Sequence, residues 1–500
     1  MTGQGTSAEP RSGDPASQPA LRRELRFFET ASVSVGVMAP TLAMSVTGAA
    51  AAAVLGRAAP LAFAVAAVGV GLVAYGFVRL AGEFSHAGSV YGFVGNTLGP
   101  RPGFLAGWAL LGTYVVFPPV SIMGVAVFGR AFLATTGIAA NADWYPLALA
   151  AWAVIAVLAA RGVRPTTRSL LTFEIASVCL ILVLMGAIFW HLAAGTAPGG
   201  LRFSGSVIVL PPGVGASALA LAATSGFLAF AGFESAGSLG EESFAPTRVV
   251  PRAIMTAVAF GAVFYVACVI AQSLGFGASA AGVSAFRHSQ APLGDLAKRY
   301  VGTPLAALLD LGAVLSALAA GLGGVTVAAR MLFSFGRDGI AARRLSGVSR
   351  STGVPRRALA AEMLVGLALL TAFRLAGTSG LNTFFYLATI GTLSLLVMYV
   401  LTNVAAARHL GRHSPWQVLA PAAGVLVAGY VLYRNVWPVP SPPYEYFPYL
   451  VLGWLAAGVV ITAVVPGFSG KVSGGLERVA QAEGETGRAG LPRGAPARAP

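Results

Sequence analysis

Charged residues are scarce in this sequence. Lys, Arg, Asp and Glu together make up 10% of its 500 residues, whereas hydrophobic residues make up 56%. A soluble domain of ordinary composition carries about 25% charged residues. The composition therefore excludes an ordinary soluble protein and predicts an integral membrane protein.

Cysteines and targeting signals are also few. The only two cysteines, Cys179 and Cys268, each lie in an apolar run, which favours small buried hydrophobes over a disulfide. The first 28 residues are polar and have neither the short apolar core nor the small-residue cleavage site of a signal peptide. We therefore expect the N-terminus to be retained.

Motifs of enzymes and cofactor sites are missing as well. The sequence contains no HExxH, no P-loop and no glycine-rich dinucleotide fingerprint, and no basic and aromatic groove motif for nucleic acid. His409 and His413 have the spacing of a metal pair, but they directly follow Arg408 and Arg412 in a predicted basic loop, which favours a solvated loop. We expect no cofactor, no metal and no nucleic-acid partner.

Long apolar runs dominate instead. A transmembrane helix needs about 20 mostly apolar residues. Twelve such runs, here called spans 1 to 12, lie near residues 31–56, 60–80, 103–129, 144–160, 169–190, 216–238, 252–274, 304–329, 358–376, 381–407, 416–433 and 446–466. The sequence thus predicts an all-α membrane protein with twelve spans.

The positive charges orient the predicted spans. Most of the 33 lysines and arginines lie in the two chain ends and in the loops that follow even-numbered spans. Positive residues favour the cytoplasmic side, so both termini are predicted to be cytoplasmic in a plasma (inner) membrane. The densest cluster, Arg330 to Arg357, joins spans 8 and 9 on that side. The net charge of +15 then indicates contact with anionic lipid.

The domain plan follows from the same runs. Residues 28–467 form the predicted transmembrane domain, and residues 1–27 and 468–500 are predicted to be disordered cytoplasmic tails because they show no apolar period. Residues 277–300 form a long outer loop. Pro292 in this loop is predicted to begin a short amphipathic helix over the outer mouth.

Two spans contain residues that interrupt a helix. In span 6, "FAGFES" places Gly232 beside Glu234, and a charged residue at membrane depth is a functional candidate. Span 1 has Gly36 and Pro40 near its middle, and proline removes a helical hydrogen bond. Simpler explanations remain open: glycine packing with a carboxylate that reaches the cytoplasmic edge in span 6, and a plain proline kink in span 1.

The positions of the two interruptions match. Spans 1 and 6 occupy corresponding places in two five-span halves, residues 31–190 and 216–407, that run in opposite directions through the membrane. Spans 11 and 12, residues 416–466, lie outside these halves. Paired interruptions in inverted repeats are a sequence pointer to the midplane binding site of a transporter.

Four longer motifs follow one another along the chain: "GEFSHAGSVYGFVGNTLGPRPGFLAGW" (82–108), "FAGFESAGSLGEESFAPTRVVPRAI" (230–254), "AARMLFSFGRDG" (328–339) and "LNTFFYLATIGTLSLLVMYVLTN" (381–403). In this order they resemble the amino acid–polyamine–organocation permeases, over nearly all of residues 28–465. The resemblance implies a LeuT-type fold with interrupted spans 1 and 6. It also implies secondary transport of a small molecule, usually an amino acid or amine.

The resemblance also implies where the substrate binds. The interruption of span 1 falls on Met38, Ala39, Pro40, Thr41 and Leu42, whose backbone groups would take the substrate carboxylate. The interruption of span 6 falls on Phe230, Ala231, Gly232, Phe233 and Glu234. There, backbone carbonyls would take the amine and an aromatic side chain would cover the substrate.

The coupling ion stays open between H⁺, Na⁺ and exchange. Several proton-coupled members of the family carry a lysine in span 5. The corresponding position here is Ser177, and no span of this sequence contains a lysine. Glu174, the only acid in span 5, is a candidate for taking up a proton, the alternative being a pair with Arg168 or Arg161. Asp310 in span 8 is a further candidate.

Other classes of function remain as alternatives. A channel would need a repeated filter sequence or a ring-forming polar stripe, and neither is visible. A substrate-sensing receptor or a membrane enzyme with the same fold is the third possibility. The expectation that leads is a secondary active permease.

Overall fold

The computed structural model describes residues 25–84, 86, 88–139, 141–161, 164–349 and 352–489, except the side chains of 164–171, 480 and 482–489. Over these residues it is helical and contains no strand; one isolated β-bridge pairs Leu25 with Ser243. The predicted N-terminal tail, residues 1–27, lies mostly outside the described residues. The α-helices are α1 Phe27–Met38, α2 Pro40–Leu55, α3 Ala59–Ala81, α4 Val90–Leu98, α5 Pro100–Thr135, α6 Trp144–Arg161, α7 Arg164–Ala194, α8 Ala216–Phe230, α9 Pro246–Phe276, α10 Ala280–His288, α11 Pro292–Tyr300, α12 Thr303–Arg337, α13 Arg356–Leu375, α14 Gly380–Gly411, α15 Leu419–Arg434, α16 Phe447–Val464 and α17 Phe468–Ala489.

Eleven helical stretches in the described part of the chain are long and apolar enough to cross a membrane. The first of them, Phe27–Ala81, has 55 residues and contains α1, α2 and α3. A straight helix of that length would measure about 80 Å, far more than the roughly 30 Å hydrocarbon core of a bilayer. The chain instead turns at the short 3-10 helix Gly56–Ala58, and α2 packs against α3. Twelve crossings remain a prediction.

The interrupted helices lie at the centre of the fold. Helices α1 and α2 pack against α7, α9 and α12, and α2 also packs against α8. Helix α5 crosses both α12 and α14, and α3 contacts α8, α9, α14 and α15. Both interrupted spans are therefore surrounded by other helices of the protein, which is where broken backbone can be satisfied within a bilayer.

Helix α16 lies at the periphery and is held by a pair of tryptophans. The rings of Trp108 on α5 and Trp454 on α16 stack with centroids 4.3 Å apart. Each indole nitrogen donates to the backbone oxygen of the other tryptophan, at 2.7 and 2.9 Å. Leu450, Leu452 and Val460 on α16 are more than half exposed, as expected for side chains of a peripheral helix that meet lipid.

The segment after residue 467 differs from the expected disordered tail, because it begins with α17. Phe468, Val472 and Leu476 are buried on one face of this helix, against α4 and α5. The ring of Phe468 meets the ring of Phe104 edge-on, with centroids 5.3 Å apart. The physical reason is an apolar spacing of four residues, a helical period that makes one face hydrophobic.

The region of the predicted outer loop is also helical. Helices α10 and α11 occupy most of residues 280–300, and α11 begins at Pro292 as the sequence predicts. Leu293, Leu296 and Tyr300 are its buried face, while Lys298 is exposed. Helix α11 packs against α2, α7, α9 and α12.

The predicted topology can be tested by cysteine labelling. In a background without the exposed Cys179, Arg343→Cys is expected to react only from the cytoplasmic side and Lys298→Cys only from outside, because most positive charge lies on the predicted inner side. Both positions are exposed, so accessibility to the reagent is not limited by packing. A membrane-impermeant maleimide added to intact cells measures this. Labelling of Arg343→Cys from outside would overturn the orientation.

Candidate functional site

The first helix interruption lies between α1 and α2. Ala39 adopts the left-handed conformation, with φ 46° and ψ 64°, and separates Met38 from Pro40. A non-glycine residue with positive φ is uncommon and marks a position that the surrounding structure holds in place. Pro40, with φ pre-set for a helix and no N–H to satisfy, begins α2. The sequence alternative of a simple proline kink is therefore replaced by a true break.

The first N–H groups of α2 bind side chains from other helices. Thr41 donates its backbone N–H to Oε1 of Glu174 on α7, at 2.9 Å. Leu42 donates to the hydroxyl of Ser316 on α12, at 3.2 Å. The start of a helix leaves unpaired N–H groups and a positive end of the helix dipole, so a buried carboxylate is stabilised there. These are groups that the resemblance assigns to a substrate carboxylate.

The second interruption lies at the end of α8. Helix α8 ends at Phe230, Gly232 has φ 113°, and the chain continues as the 3-10 helix Phe233–Glu242. A 3-10 helix of ten residues is longer than usual, and such stretches often mark functional hinges. The break thus falls within the predicted residues Phe230 to Glu234.

The two breaks pack directly on each other. A Cβ atom added to Gly232 would lie 2.7 Å from the backbone nitrogen of Met38 and 2.7 Å from Cγ1 of Val37. Ser34 on α1 bridges the second break, donating to the carbonyl of Phe233 at 2.9 Å and accepting from the N–H of Ala236 at 3.3 Å. Backbone groups freed by one break are therefore partly satisfied by the helix that carries the other.

Glu234 is buried at the second break and accepts three hydrogen bonds. Tyr114 on α5 donates to Oε1 at 2.9 Å; Tyr399 on α14 and the N–H of Gly232 donate to Oε2 at 3.2 and 3.1 Å. Glu234 is 1% exposed, which does not fit the simpler explanation of a carboxylate that reaches the cytoplasmic edge. The carboxylate instead ties the broken helix to α5 and α14.

A cavity of about 50 Å³ borders both breaks. Its walls include Met38, Ala39 and Leu42 from the first break and Ala231 from the second. Helices α5, α12 and α14 complete it with Phe117, Val120, Ser121, Ala320, Gly324 and Phe384. Of the ten predicted substrate-binding residues, these four line the cavity.

The other predicted binding residues have different neighbours. The ring of Phe230 meets Tyr265 edge-on, with centroids 5.0 Å apart, and the ring of Phe233 packs on Phe77 and Tyr399. Phe117 and Phe384 are therefore the aromatic side chains at the cavity, and neither was singled out from the sequence. Only the packing of α5 and α14 against the breaks brings them there.

The three coupling candidates lie in different places. Glu174 contacts the first break as described; Arg161 is exposed, and the side chain of Arg168 lies outside the described residues. Ser177 donates to the carbonyl of Phe173 in its own helix, at 2.9 Å. Asp310 accepts from Thr135 at 3.1 Å and is covered by α11. Of these three side chains, Glu174 is the one that forms a hydrogen bond with an interruption.

Ion pairs join the C-terminal end of the 3-10 helix Phe233–Glu242 to α12. Arg330 binds both carboxylate oxygens of Glu242, at 2.5 and 2.9 Å, and Arg337 binds both oxygens of Glu241, at 2.9 and 3.2 Å. Asp338, which is buried, accepts from Tyr91 at 2.7 Å. Bidentate pairs of this kind fix orientation as well as distance.

No group of three or more metal-ligating side chains occurs in the described part of the chain. His409 lies in the last turn of α14 and not in the predicted loop. Its Nε2 lies 2.6 Å from Glu83, and His413 contacts the backbone of His409.

The contacts most important for the site come from residues far apart in sequence. Ser34, Tyr114, Ser316 and Tyr399 were not predicted, although each binds an interruption. A hydroxyl inside an apolar span is a weak signal by itself, because most such groups bond to their own helix, as Ser45 does with Thr41.

Two interrupted helices that meet beside a cavity, inside a bundle of apolar helices, define the protein as a multi-pass membrane transporter of small molecules. A family model described as "Amino acid permease" matches residues 31–413. The chain belongs to this family, and it is a transporter and not an enzyme.

Named relatives of low identity agree with this class. The chain is 23% identical over 460 residues to the "Methylthioribose transporter" of Bacillus subtilis, covering 88% of this chain and 93% of the relative. It is 25% identical to the "Branched-chain amino acid permease BcaP" of the same organism, covering 67% and 71%. To the "Low-affinity putrescine importer PlaP" of Escherichia coli it is 24% identical, covering 65% and 69%.

Proposed function

We infer that this protein moves an amino acid or a related amine across the plasma membrane by alternating access, with both termini in the cytoplasm. The observation that carries the proposal is the contact between the two breaks beside a shared cavity. The names of the relatives cover amino acids, a diamine and a thioribose, so they support a transported small molecule without selecting one.

The substrate is proposed to bind at the breaks, between Met38–Leu42 and Phe230–Glu234. The start of α2 is the positive end of a helix dipole, and the end of α8 is a negative end. A zwitterion placed between them has its carboxylate at α2 and its ammonium at α8. Discontinuous helices in other transporters use their ends in this way.

Glu174 gives this arrangement a coupling mechanism. Its carboxylate occupies the start of α2, where the substrate carboxylate is proposed to bind. Its second oxygen, Oε2, is buried without a hydrogen-bond partner, as is the hydroxyl of Thr41. Two carboxylates at one buried helix end repel each other, so binding of the substrate favours a protonated Glu174. A protonated Glu174 releases the N–H of Thr41, and substrate and proton then travel together.

The surroundings of Glu174 support a single titrating acid. The ionisable side chain that faces it from α9 is Tyr265, whose ring packs on Phe230. Asp310 on α12 is held apart by its contact with Thr135. Ser177 and Asp310 are proposed as secondary candidates, with sodium coupling or exchange as the alternatives if Glu174 has no effect.

Uptake into proteoliposomes tests the function itself. Purified protein, reconstituted with an imposed pH gradient, is expected to accumulate a labelled amino acid or amine above its external concentration. A channel equilibrates its solute without accumulating it, and a sensor binds without net flux. Either of those results would overturn secondary active transport.

Glu174→Gln is expected to remove the dependence of uptake on the proton gradient. The amide keeps the size of the side chain and, like the protonated acid, carries no charge that would repel a substrate carboxylate, but it can neither take up nor release a proton. Exchange of substrate across the membrane should stay within about twofold of wild type, a difference of only about 0.4 kcal/mol. Parallel measurements of gradient-driven accumulation and of exchange in the same liposomes check this.

Two further variants serve as controls for Glu174→Gln. Ser177→Ala changes a residue of the same helix that bonds to its own backbone, and Asp310→Asn changes the acid near α11. Both are expected to leave the dependence on the gradient intact. A flattened response in Asp310→Asn with a normal response in Glu174→Gln would move the coupling role to Asp310.

A further inference from the structure

The cavity beside the breaks is almost entirely apolar. Among the described residues that line it, none carries a charge, and the only side-chain polar group is the hydroxyl of Ser121. That hydroxyl donates to the carbonyl of Phe117 in its own helix, at 3.0 Å. The walls therefore offer a bound molecule aliphatic and aromatic surface, and little else.

The charged groups near the cavity are engaged elsewhere. Glu174 binds Thr41, and Glu234 binds two tyrosines and the N–H of Gly232. Neither acid is part of the cavity wall. Arg330 and Arg337 are held by Glu242 and Glu241 at the far end of the 3-10 helix. The described wall therefore contains no carboxylate that could bind a second ammonium group.

We propose that the cavity is a side-chain pocket, and that it selects neutral amino acids with small apolar side chains over diamines and basic amino acids. This rests on the proposed function, in which the breaks bind the ammonium and carboxylate. The pocket then receives the part of the substrate that differs from one amino acid to another. Val120, Phe117 and Phe384 are its specificity-determining residues.

Selection against charge follows from the wall. A second ammonium group, as in L-lysine or putrescine, would lose its hydration on entering and would find no acceptor of opposite charge. Putrescine also lacks the carboxylate that is proposed to replace Glu174 at the start of α2. An apolar side chain instead gains from removal of its surface from water.

Selection against size follows from the two phenylalanines. Phe384 is buried on α14. Phe117 is on α5, and its ring lies against Gly391 of α14, where a side chain would collide with it. Both rings are held in place by neighbouring helices, so a large substrate cannot easily displace them. The two rings therefore limit the space that a substrate side chain can enter.

The experiment measures uptake of single labelled compounds by the reconstituted full-length protein under one pH gradient. The panel is L-alanine, L-valine, L-leucine, L-phenylalanine, L-lysine and putrescine. At equal concentration, at least one of the three aliphatic amino acids is expected to enter about tenfold faster than L-lysine and putrescine, because their second ammonium group would lose its hydration in the pocket without gaining an acceptor. L-phenylalanine should be slower than the best aliphatic substrate.

Phe384→Ala tests the role of the pocket wall. Removing the ring is expected to raise the rate for L-phenylalanine relative to L-valine by about fivefold, since space near the substrate is gained and aliphatic contact is lost. Phe385→Ala is the matched control: Phe385 is the next residue of α14, partly buried, and does not line the cavity. It should keep the ratio of the wild type. If Phe384→Ala does not reconstitute, the panel with the wild-type protein decides the question alone.

The outcomes separate the inference from the proposed function. Preference for putrescine or L-lysine would overturn the apolar pocket while confirming transport. In that case the carboxylate of Glu174, and not one of the substrate, would stay bound to the start of α2 during transport. Uptake of none of the six compounds, with binding or with equilibration only, would instead overturn the proposed function. An unchanged ratio in Phe384→Ala, with the protein folded and active, would overturn the assignment of that residue.

Discussion

Gly232→Leu is expected to abolish uptake while insertion and expression stay near normal. Gly232 has φ 113°, a conformation that side-chain-bearing residues rarely adopt. Its missing side chain also lets the second break approach Val37 and Met38 of the first, where a Cβ would come within 2.7 Å of the backbone. Leucine would push the breaks apart and favour a continuous helix. Initial uptake rates in proteoliposomes, normalised to reconstituted protein, measure the effect.

An exposed glycine of α16 provides the control for Gly232→Leu. Gly453 lies on the exposed side of α16, and a Cβ added there would meet no atom within 4 Å. Gly453→Leu is expected to retain uptake. Transport by Gly232→Leu with unchanged apparent affinity would show that the close contact between the breaks is packing alone.

Glu234→Gln is expected to weaken apparent substrate affinity by about tenfold. The carboxylate accepts from Tyr114, Tyr399 and Gly232, whereas a glutamine amide has one oxygen and one donating nitrogen. Even if a tyrosine hydroxyl turned to accept from that nitrogen, the three bonds to a charged group would be replaced by weaker bonds to a neutral amide. Hydrogen bonds to a charged group contribute about 1.5–3 kcal/mol, and 1.4 kcal/mol corresponds to tenfold. The break would lose its fixed position, and the substrate would bind to a less ordered site.

A kinetic comparison distinguishes this positioning role from a purely structural one. Glu234→Gln should raise KM for the transported amino acid, and Tyr114→Phe and Tyr399→Phe should each do so less because they remove one bond. Tyr430→Phe, at an exposed tyrosine of α15, should have no effect. A fall in thermal stability without a change in KM would assign Glu234 to the fold. Loss of the proton-gradient response in Glu234→Gln, with that response kept in Glu174→Gln, would reverse the roles of the two acids.

The helix interruptions illustrate what local sequence can predict. Pro40 removes a backbone donor and Gly232 permits a positive φ, so both breaks follow from residue chemistry within a few positions. The left-handed conformation of Ala39 could not be predicted from the sequence, because alanine has no preference for that region. Its φ of 46° is imposed by the helices packed around it.

Helix α17 has an amphipathic pattern that the composition of the segment obscures. Phe468, Val472 and Leu476 repeat every four residues, but glycines and charged residues around them give the segment the composition of a disordered tail. By itself a helix with several glycines is marginal in water. Its stability comes from burial of those three side chains against α4 and α5, which are distant in sequence.

The sequence alone determined the class of this protein, the approximate positions of its membrane helices and the location of both breaks. Those properties depend on composition and on short-range backbone preference. The tertiary structure decided that Glu174 binds the start of α2, that Glu234 binds Tyr114 and Tyr399, and that apolar side chains line the cavity. These contacts depend on how each helix is rotated and crossed against its neighbours. That geometry results from packing across more than a hundred residues of chain, and no local pattern encodes it.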